Sequence, residues 1–241
     1  TKLNPFVVLL GKGEHQITST WTSRLGSECM AMLKITCSNV TFIGLGKNTT
    51  TILGGFHICS VENITFKKLT VTNAEEMNSD GIRMNHANVE LVDVAVKGCS
   101  GKALHLSYIC NTAEFGLGPP ETTVVATRCE FANSSYGVVV YRNPAFLKVS
   151  VRFNNCLFTK NILHGIVAMG NSTVHLHGEH TAIHSNGIHG LKAINDGHIV
   201  IHLQSCHKTC YNNGRTNNFG VDHFVNPGGT IINVEDLERE K

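Results

Sequence analysis

The chain has few charged residues, few prolines, few aromatic rings and no long apolar run. These shortages exclude several classes of structure and function. Charged residues make up 16% of the 241 residues, against roughly 25% in a typical globular domain. The 20 basic and 18 acidic residues nearly balance, whereas a general nucleic-acid binder needs excess positive charge for phosphate contacts. With 7% aromatic residues and one Trp, no platform for stacking bases or sugar rings is evident. No apolar run approaches the roughly 20 residues that span a bilayer, so we predict no transmembrane helix.

Glycine is abundant by contrast, with 23 residues against 5 prolines. Together with many Asn, Val, Ile and Thr residues, this composition favours short strands joined by tight turns over long helices. Nine cysteines are an odd number, so they cannot all pair within the chain. Five glycosylation sequons would suit a secreted or assembly-associated protein, although an Asn- and Thr-rich chain also forms them by chance. They begin at Asn39, Asn48, Asn63, Asn133 and Asn171.

The strongest pattern is an internal repeat of about 25 residues, within the range of periods that is typical of solenoids. Short segments in which two apolar residues flank a mostly polar one recur at this step, interrupted once by an insertion around residues 116–120. They start at Val40, Ile64, Val89, Thr122, Val149, Val174 and Ile199. A second apolar column follows Val71, Val96, Phe131, Phe158 and Ile183, and a third follows Ile82, Leu104, Val138, Ile166 and Leu191.

Three short strands per repeat, each alternating apolar and polar positions, describe one coil of a parallel β-helix. No coil can bury its inner face alone, so the coils stack around one continuous core. We therefore predict an all-β, single-stranded parallel β-helix of about 7–8 coils. The coils would span residues 5–235 of a single domain over residues 1–241, with a charged tail at 235–241.

Three segments near the start of the chain, at residues 10–17, 40–44 and 51–55, resemble the first coils of right-handed parallel β-helix proteins of the pectin-lyase-like group. The resemblance extends over about residues 5–235 and implies a right-handed solenoid. It implies no single activity, because that group contains lyases, hydrolases, epimerases, viral fibre parts and non-catalytic modules.

One short motif points to an enzyme. The segment Asn78-Ser79-Asp80-Gly81-Ile82 is similar to the strand entry Asn-x-Asp-Gly-Ile of polygalacturonase-type hydrolases, and the resemblance implies that Asp80 belongs to a catalytic carboxylate set. Glycoside hydrolysis needs at least two carboxylates, but the next coil reads Cys99-Ser100-Gly101 where an Asp pair is expected. In the alternative interpretation, Asp80 turns a corner and its side chain bonds nearby backbone N–H groups.

Basic side chains occupy outward positions of the third column. Arg83 and His105 lie on adjacent coils near Asp80, so these three residues are the predicted catalytic set if the chain is an enzyme that uses a base on an acidic glycan. Lys192, farther along the same row, and Arg152, an outward residue of the first column, are predicted ligand-binding cations. Valines interrupt the row between His105 and Lys192, so an ordinary mixed surface explains the pattern as well.

Histidine is unusually frequent, with 14 residues concentrated towards the end of the chain. His175, His177 and Glu179 share one outward strand face, and His202 is expected beside His177 on the next coil. Imidazoles and a carboxylate at this spacing can hold Zn²⁺ or another divalent transition metal ion. The alternative is an exposed polar ladder without a metal, since solenoids align similar residues on successive coils. No other cofactor is predicted.

The missing carboxylate pair favours a role without catalysis. We predict a rigid module that binds a glycan or a protein partner, or that forms a structural part of a larger assembly. The alternative is a polysaccharide lyase, epimerase or hydrolase that acts on an acidic glycan through Asp80, Arg83 and His105.

Overall fold

The computed structural model describes residues 4–19, 31–74, 78–107, 121–141, 149–202, 210–214 and 228–234, together with the backbone of 21–22, 28–29 and 220–221. The predicted insertion at 116–120 and the predicted charged tail at 235–241 lie outside these residues.

Parallel strands form three sheets in the described part of the chain, and the first two are joined because two long strands, β9 and β11, belong to both. The first sheet contains β1 (Phe6–Leu9), β6 (Val40–Ile43), β9 (Ile64–Thr72), β11 (Asn88–Lys97), β13 (Thr122–Thr127), β16 (Val149–Asn154), β19 (Thr173–His177), β22 (His198–His202) and β25 (Thr230–Asn233). The second adds β2 (Gly13–Gln16), β7 (Thr50–Leu53), β14 (Glu130–Ala132), β17 (Leu157–Thr159), β20 (Ala182–His184) and β23 (Cys210–Tyr211).

The third sheet contains β5 (Met32–Ile35), β8 (Gly55–Cys59), β10 (Ile82–Asn85), β12 (Lys102–Leu106), β15 (Tyr136–Tyr141), β18 (His164–Met169), β21 (His189–Ile194) and β24 (Gly220–Val221). A short antiparallel pair, β3 (Trp21–Thr22) with β4 (Glu28–Cys29), lies outside the three sheets. Each coil passes once through each sheet, and β25 begins a further coil after eight. The fold is the right-handed parallel β-helix that the repeat and the resemblance predict.

Inward apolar side chains stack from coil to coil and form one core. The predicted second and third columns are confirmed, because Phe131 pairs with Phe158 and Leu104 pairs with Val138 in register. Phenylalanines add ring contacts inside the coils, with 5.0 Å between the centroids of Phe42 and Phe66. Such contacts stabilise the core beyond the burial of their area.

The first column is shifted by two residues from the predicted register at β13 and β16. Val89 pairs with Val124, rather than with Thr122. Val174 and Leu176 pair with Val151 and Phe153, rather than with Val149 and Val151 as the repeat indicated. The inward face is unchanged, because side chains alternate with a period of two and a shift of two preserves the face. On the other side Val174 and Leu176 pair with Ile199 and Ile201 as predicted.

A ladder of buried asparagines lines the corner between the second and third sheets. Asn161, Asn186 and Asn213 lie on successive coils, are at most 5% exposed, and are joined because each side-chain N–H group donates to the next amide oxygen, at 2.9 Å and 2.8 Å. The same amides also bond backbone groups of the neighbouring coil. This ladder satisfies the polar backbone of a corner that is closed to water.

Cysteines serve the opposite corner, between the first and second sheets. Cys129 and Cys156 are buried there on successive coils, and Thr181 continues the column; the predicted next member, Cys206, lies outside the described residues. Burial raises the pKa of the Cys129 thiol well above its usual value. Protonated buried thiols of this kind behave as small apolar side chains.

In the described segments no helix is long and apolar enough to cross a membrane.

Candidate functional site

The outer face of the third sheet carries a row of basic side chains on four consecutive strands. We call this set the basic row: Lys34 on β5, His57 on β8, Arg83 on β10 and His105 on β12. Neighbouring strands of a sheet lie about 4.8 Å apart, so the row extends along the solenoid axis. Val139 and Val167 follow on the next two strands before Lys192 on β21.

Asp80 lies at the corner just before β10, beneath the basic row, and is 4% exposed. Its Oδ1 accepts a hydrogen bond from the Lys102 backbone N–H at 2.9 Å, and its Oδ2 lies 2.7 Å from Nδ1 of His105. Burial would raise the pKa of Asp80, but the bond and charge of His105, with smaller contributions from Lys102, outweigh burial and hold this pKa below its usual value. Because an ionised carboxylate only accepts hydrogen bonds, Nδ1 of His105 carries the proton and donates it.

His57 and Arg83 are neighbours in the basic row, but His57 is neutral whereas Arg83 carries a positive charge. His57 is 5% exposed, and burial, assisted by the charges of Arg83 and Lys34, lowers its pKa to about 4. His57 is therefore neutral at pH 7. Among the described residues, no carboxylate other than Asp80 forms an ion pair or hydrogen bond with Arg83 or His105, and Asp80 bonds only His105 of the two.

Two further polar residues stand beside the basic row, and sequence reasoning missed both. Asn85 follows Arg83 by two residues on β10 and therefore shares its outward face. Ser107 follows His105 by two residues, just beyond the end of β12. Both are buried, at 4% and 7% exposed, and their side-chain polar atoms have no hydrogen-bond partner within the described part of the chain. Buried polar groups without partners are rare in folded proteins. The signal was present, because both residues are polar and follow predicted site residues by two positions.

The two predicted ligand-binding cations lie on different faces. Lys192 occupies the same outward register position of the third sheet as the basic row, three strands beyond His105. Arg152 lies on β16 of the first sheet, beside His175. The structure therefore does not bring them together around one ligand.

Three of the four predicted metal ligands come together on the outer face of the first sheet. His177 pairs with His202 across β19 and β22, and His175 Nδ1 lies 3.1 Å from His202 Nε2. One nitrogen from each of the three residues lies within 4.8 Å of the others. Glu179 is exposed and follows Gly178, beyond the end of β19, so it does not join this histidine cluster (His175, His177 and His202).

Burial and nearby cations lower the pKa of two of the three rings in the histidine cluster. Burial, followed by the effects of His202, Arg152 and His175, lowers the pKa of His177 to about 4. Burial and Arg152 likewise lower the pKa of His202. Neutral imidazole is the form that binds metal ions.

A groove of about 520 Å³ lies elsewhere on the first sheet, near the beginning of the solenoid. Polar residues of successive coils line it, among them Asn39, Asn63, Thr41, Thr65 and Glu90. Its asparagines already bond each other, with the Asn63 amide donating to Asn39 at 3.0 Å. Its lining contains one cation, Lys67, together with the acidic Glu90, and no aromatic ring, so the groove offers less to an anionic sugar than the basic row does.

A comparison with known families matches residues 30–186 to the family described as right handed beta helix region. No curated protein matches the chain, and no solved structure does.

Proposed function

Because the chain belongs to the right-handed β-helix family, whose fold supports many functions, we propose a function from its surface: a non-catalytic module that binds an acidic polysaccharide along the basic row. The observation that carries this proposal is the Arg83 guanidinium, which stands beside a neutral His57 without an acidic partner among the described residues. A guanidinium that no carboxylate of the chain neutralises is well suited to bind a carboxylate of a ligand through two parallel hydrogen bonds.

The spacing of the row suits a linear ligand. Lys34 and Arg83 are separated by two strand steps, which is about 10 Å along the solenoid axis. A chain of acidic sugars laid along this axis would reach both cations with carboxylates of different sugar units.

The state of Asp80 argues against hydrolysis. A hydrolase needs two carboxylates that flank the scissile bond, whereas Asp80 is buried and both of its oxygens are engaged, one by Lys102 and one by His105. Its bond to a backbone N–H of the next coil is the corner role that the sequence left as an alternative.

The test is binding to polygalacturonate and alginate, with dextran as the neutral polymer, at two salt concentrations. Arg83→Ala should weaken binding to the acidic polymers by about ten-fold or more, because charge-assisted hydrogen bonds contribute roughly 1.5–3 kcal/mol. Arg152→Ala is the matched control, since it removes the same charge from another sheet and should leave binding unchanged. Equal binding by Arg83→Ala and the wild type, or equal binding to dextran, would contradict the proposal.

A second candidate is a lyase acting on uronate polymers, and the contact between Asp80 and His105 favours it. A carboxylate that holds Nδ1–H of a histidine leaves Nε2 free to accept a proton, as in other paired acid–base sites. Arg83, on the neighbouring strand, would then neutralise the uronate carboxylate beside the carbon that loses the proton.

The same polymers separate the two candidates, since elimination creates a double bond that absorbs ultraviolet light. A lyase would release this product, and His105→Ala would stop the release while the polymer still binds. Binding without any unsaturated product is the result expected of the non-catalytic module.

A further inference from the structure

We propose that His175, His177 and His202 form a binding site for one divalent transition metal ion, with Zn²⁺ as the best fit. The site lies on the first sheet, away from the basic row of the third sheet, and it does not depend on the function proposed above.

The sheet holds the three residues in place. His175 and His177 point outward from β19, and His202 points outward from the adjacent strand β22, directly beside His177. Because the inward neighbours Leu176 and Ile201 are fully buried in the core, the backbone that carries the imidazoles is anchored before any ion arrives. Ligands fixed in this way lose little freedom on binding.

The distances fit a small tetrahedral ion. Two nitrogens that bind one ion at 2.0–2.1 Å in tetrahedral geometry are separated by about 3.3 Å. His175 Nδ1 and His202 Nε2 are 3.1 Å apart, and a nitrogen of His177 lies within 4.8 Å of both. A modest rotation of the His177 ring therefore completes a set of three.

A buried ring nitrogen without a hydrogen-bond partner also supports a metal ion at this site. Nε2 of His177 is buried and has no hydrogen-bond partner among the described residues. A buried ring nitrogen without a partner is costly, and coordination of an ion would satisfy it. The ring stacks on His202 with 4.2 Å between centroids, so the two imidazoles are already in contact.

The donor set selects the kind of ion. Three imidazoles favour Zn²⁺, Cu²⁺ or Ni²⁺ over Ca²⁺ and Mg²⁺, which prefer oxygen ligands. Glu179 stands outside the cluster, so the fourth position of a tetrahedral ion would go to water, as in open zinc sites. Arg152, the neighbour of His175 on β16, is a cation and repels a second one. We therefore expect Arg152→Ala to tighten metal binding.

The experiment uses protein purified without a histidine tag and stripped of metal, titrated with Co²⁺ and Zn²⁺. We expect saturation at about one equivalent, a visible Co²⁺ spectrum of a four-coordinate ion that Zn²⁺ displaces, and a higher Tm with Zn²⁺. His177→Ala and His202→Ala should each abolish the spectrum and the Tm shift. The matched control is His184→Ala, because His184 is also an outward histidine on a strand of the solenoid but bonds Thr159 and Ser185 instead.

Unaltered apo Tm values for His177→Ala and His202→Ala would show that their loss of metal is local. A metal stoichiometry or spectrum that is the same in either variant as in the wild type would overturn the proposal. So would equal losses in His184→Ala and His177→Ala, because the histidine-rich surface would then bind metal without this site.

Discussion

The asparagine ladder makes the stability of the solenoid depend on single buried amides, and Asn186 is its middle member. Asn186 Oδ1 accepts from the backbone N–H and from the side chain of Asn161, at 3.2 Å and 2.9 Å. Its Nδ2 donates to the Phe158 carbonyl and to Asn213, at 3.1 Å and 2.8 Å. Asn186→Ala removes all four bonds without adding bulk.

The expected loss follows from the groups left behind. The Asn161 N–H and the Phe158 carbonyl would remain buried without a partner, at a position where Asn186 is 1% exposed. Each orphaned buried group costs roughly 1–3 kcal/mol, so we expect a loss of about 2–6 kcal/mol in the free energy of unfolding. In a chain of this size such a loss lowers Tm by roughly 10 °C.

The measurement is unfolding in urea, followed by circular dichroism, with refolding checked so that the free energy is an equilibrium value. Asn154→Ala is the matched control. Asn154 is a half-buried outward residue of β16, and its removal should change stability by no more than about 0.5 kcal/mol. If Asn186→Ala and Asn154→Ala lose the same small amount, the ladder does not stabilise the corner and the reasoning fails.

Three other variants test the fold and its pH dependence. Leu176→Asp places an unpaired charge in a position that is 0% exposed and should prevent folding, seen as insoluble protein; a soluble, cooperatively folding variant would show that the inward face is wrong. The pKa of His57 is lowered from 6.5 to about 4, so the unfolded chain takes up the proton first and stability should fall by about 2 kcal/mol from pH 7 to pH 5; His57→Gln should remove this share of the pH dependence. The pKa of Asp80 is lowered, so its stabilisation is present above the pKa of an unfolded aspartate and is lost in stronger acid; Asp80→Asn should be less stable at pH 7 and less sensitive to acid.

The sequence predicted the columns of the core because strand alternation and a constant step are visible in the order of residues alone. It misplaced the register of β13 and β16, because the predicted segments begin two residues too early on both strands. The partners of Val89 and Val174 are Val124 and Val151. The corner ladder was missed for a different reason. Side chains at corners do not alternate between the two faces, so alternation does not identify Asn161 and Asn186 as inward residues. The repeated segment Asn-x-x-His-Gly does occur at both positions.

At the candidate sites, the repeat predicts which strands are neighbours but not every contact between side chains. A step of one coil predicts that Arg83 and His105 are neighbours, and the pairing is observed. The step does not predict that Asp80 turns under the sheet to bond His105, because that contact depends on the path of a corner. Glu179 was predicted as a metal ligand but lies outside the histidine cluster. The reason is that β19 ends at His177, so the alternation of side chains does not continue to Glu179.

The sequons have an explanation in backbone geometry. Four of the five sequon asparagines, Asn39, Asn63, Asn133 and Asn171, have φ between 51° and 62°, the left-handed region that Asn tolerates better than other residues with side chains. Corners that need this conformation therefore select Asn, and the strand that follows a corner often places Thr or Ser two residues later. Asn63 also donates its amide to Asn39, so this asparagine has a structural role on the corner. The repeat of the solenoid thus produces sequons by itself, and their number does not indicate secretion.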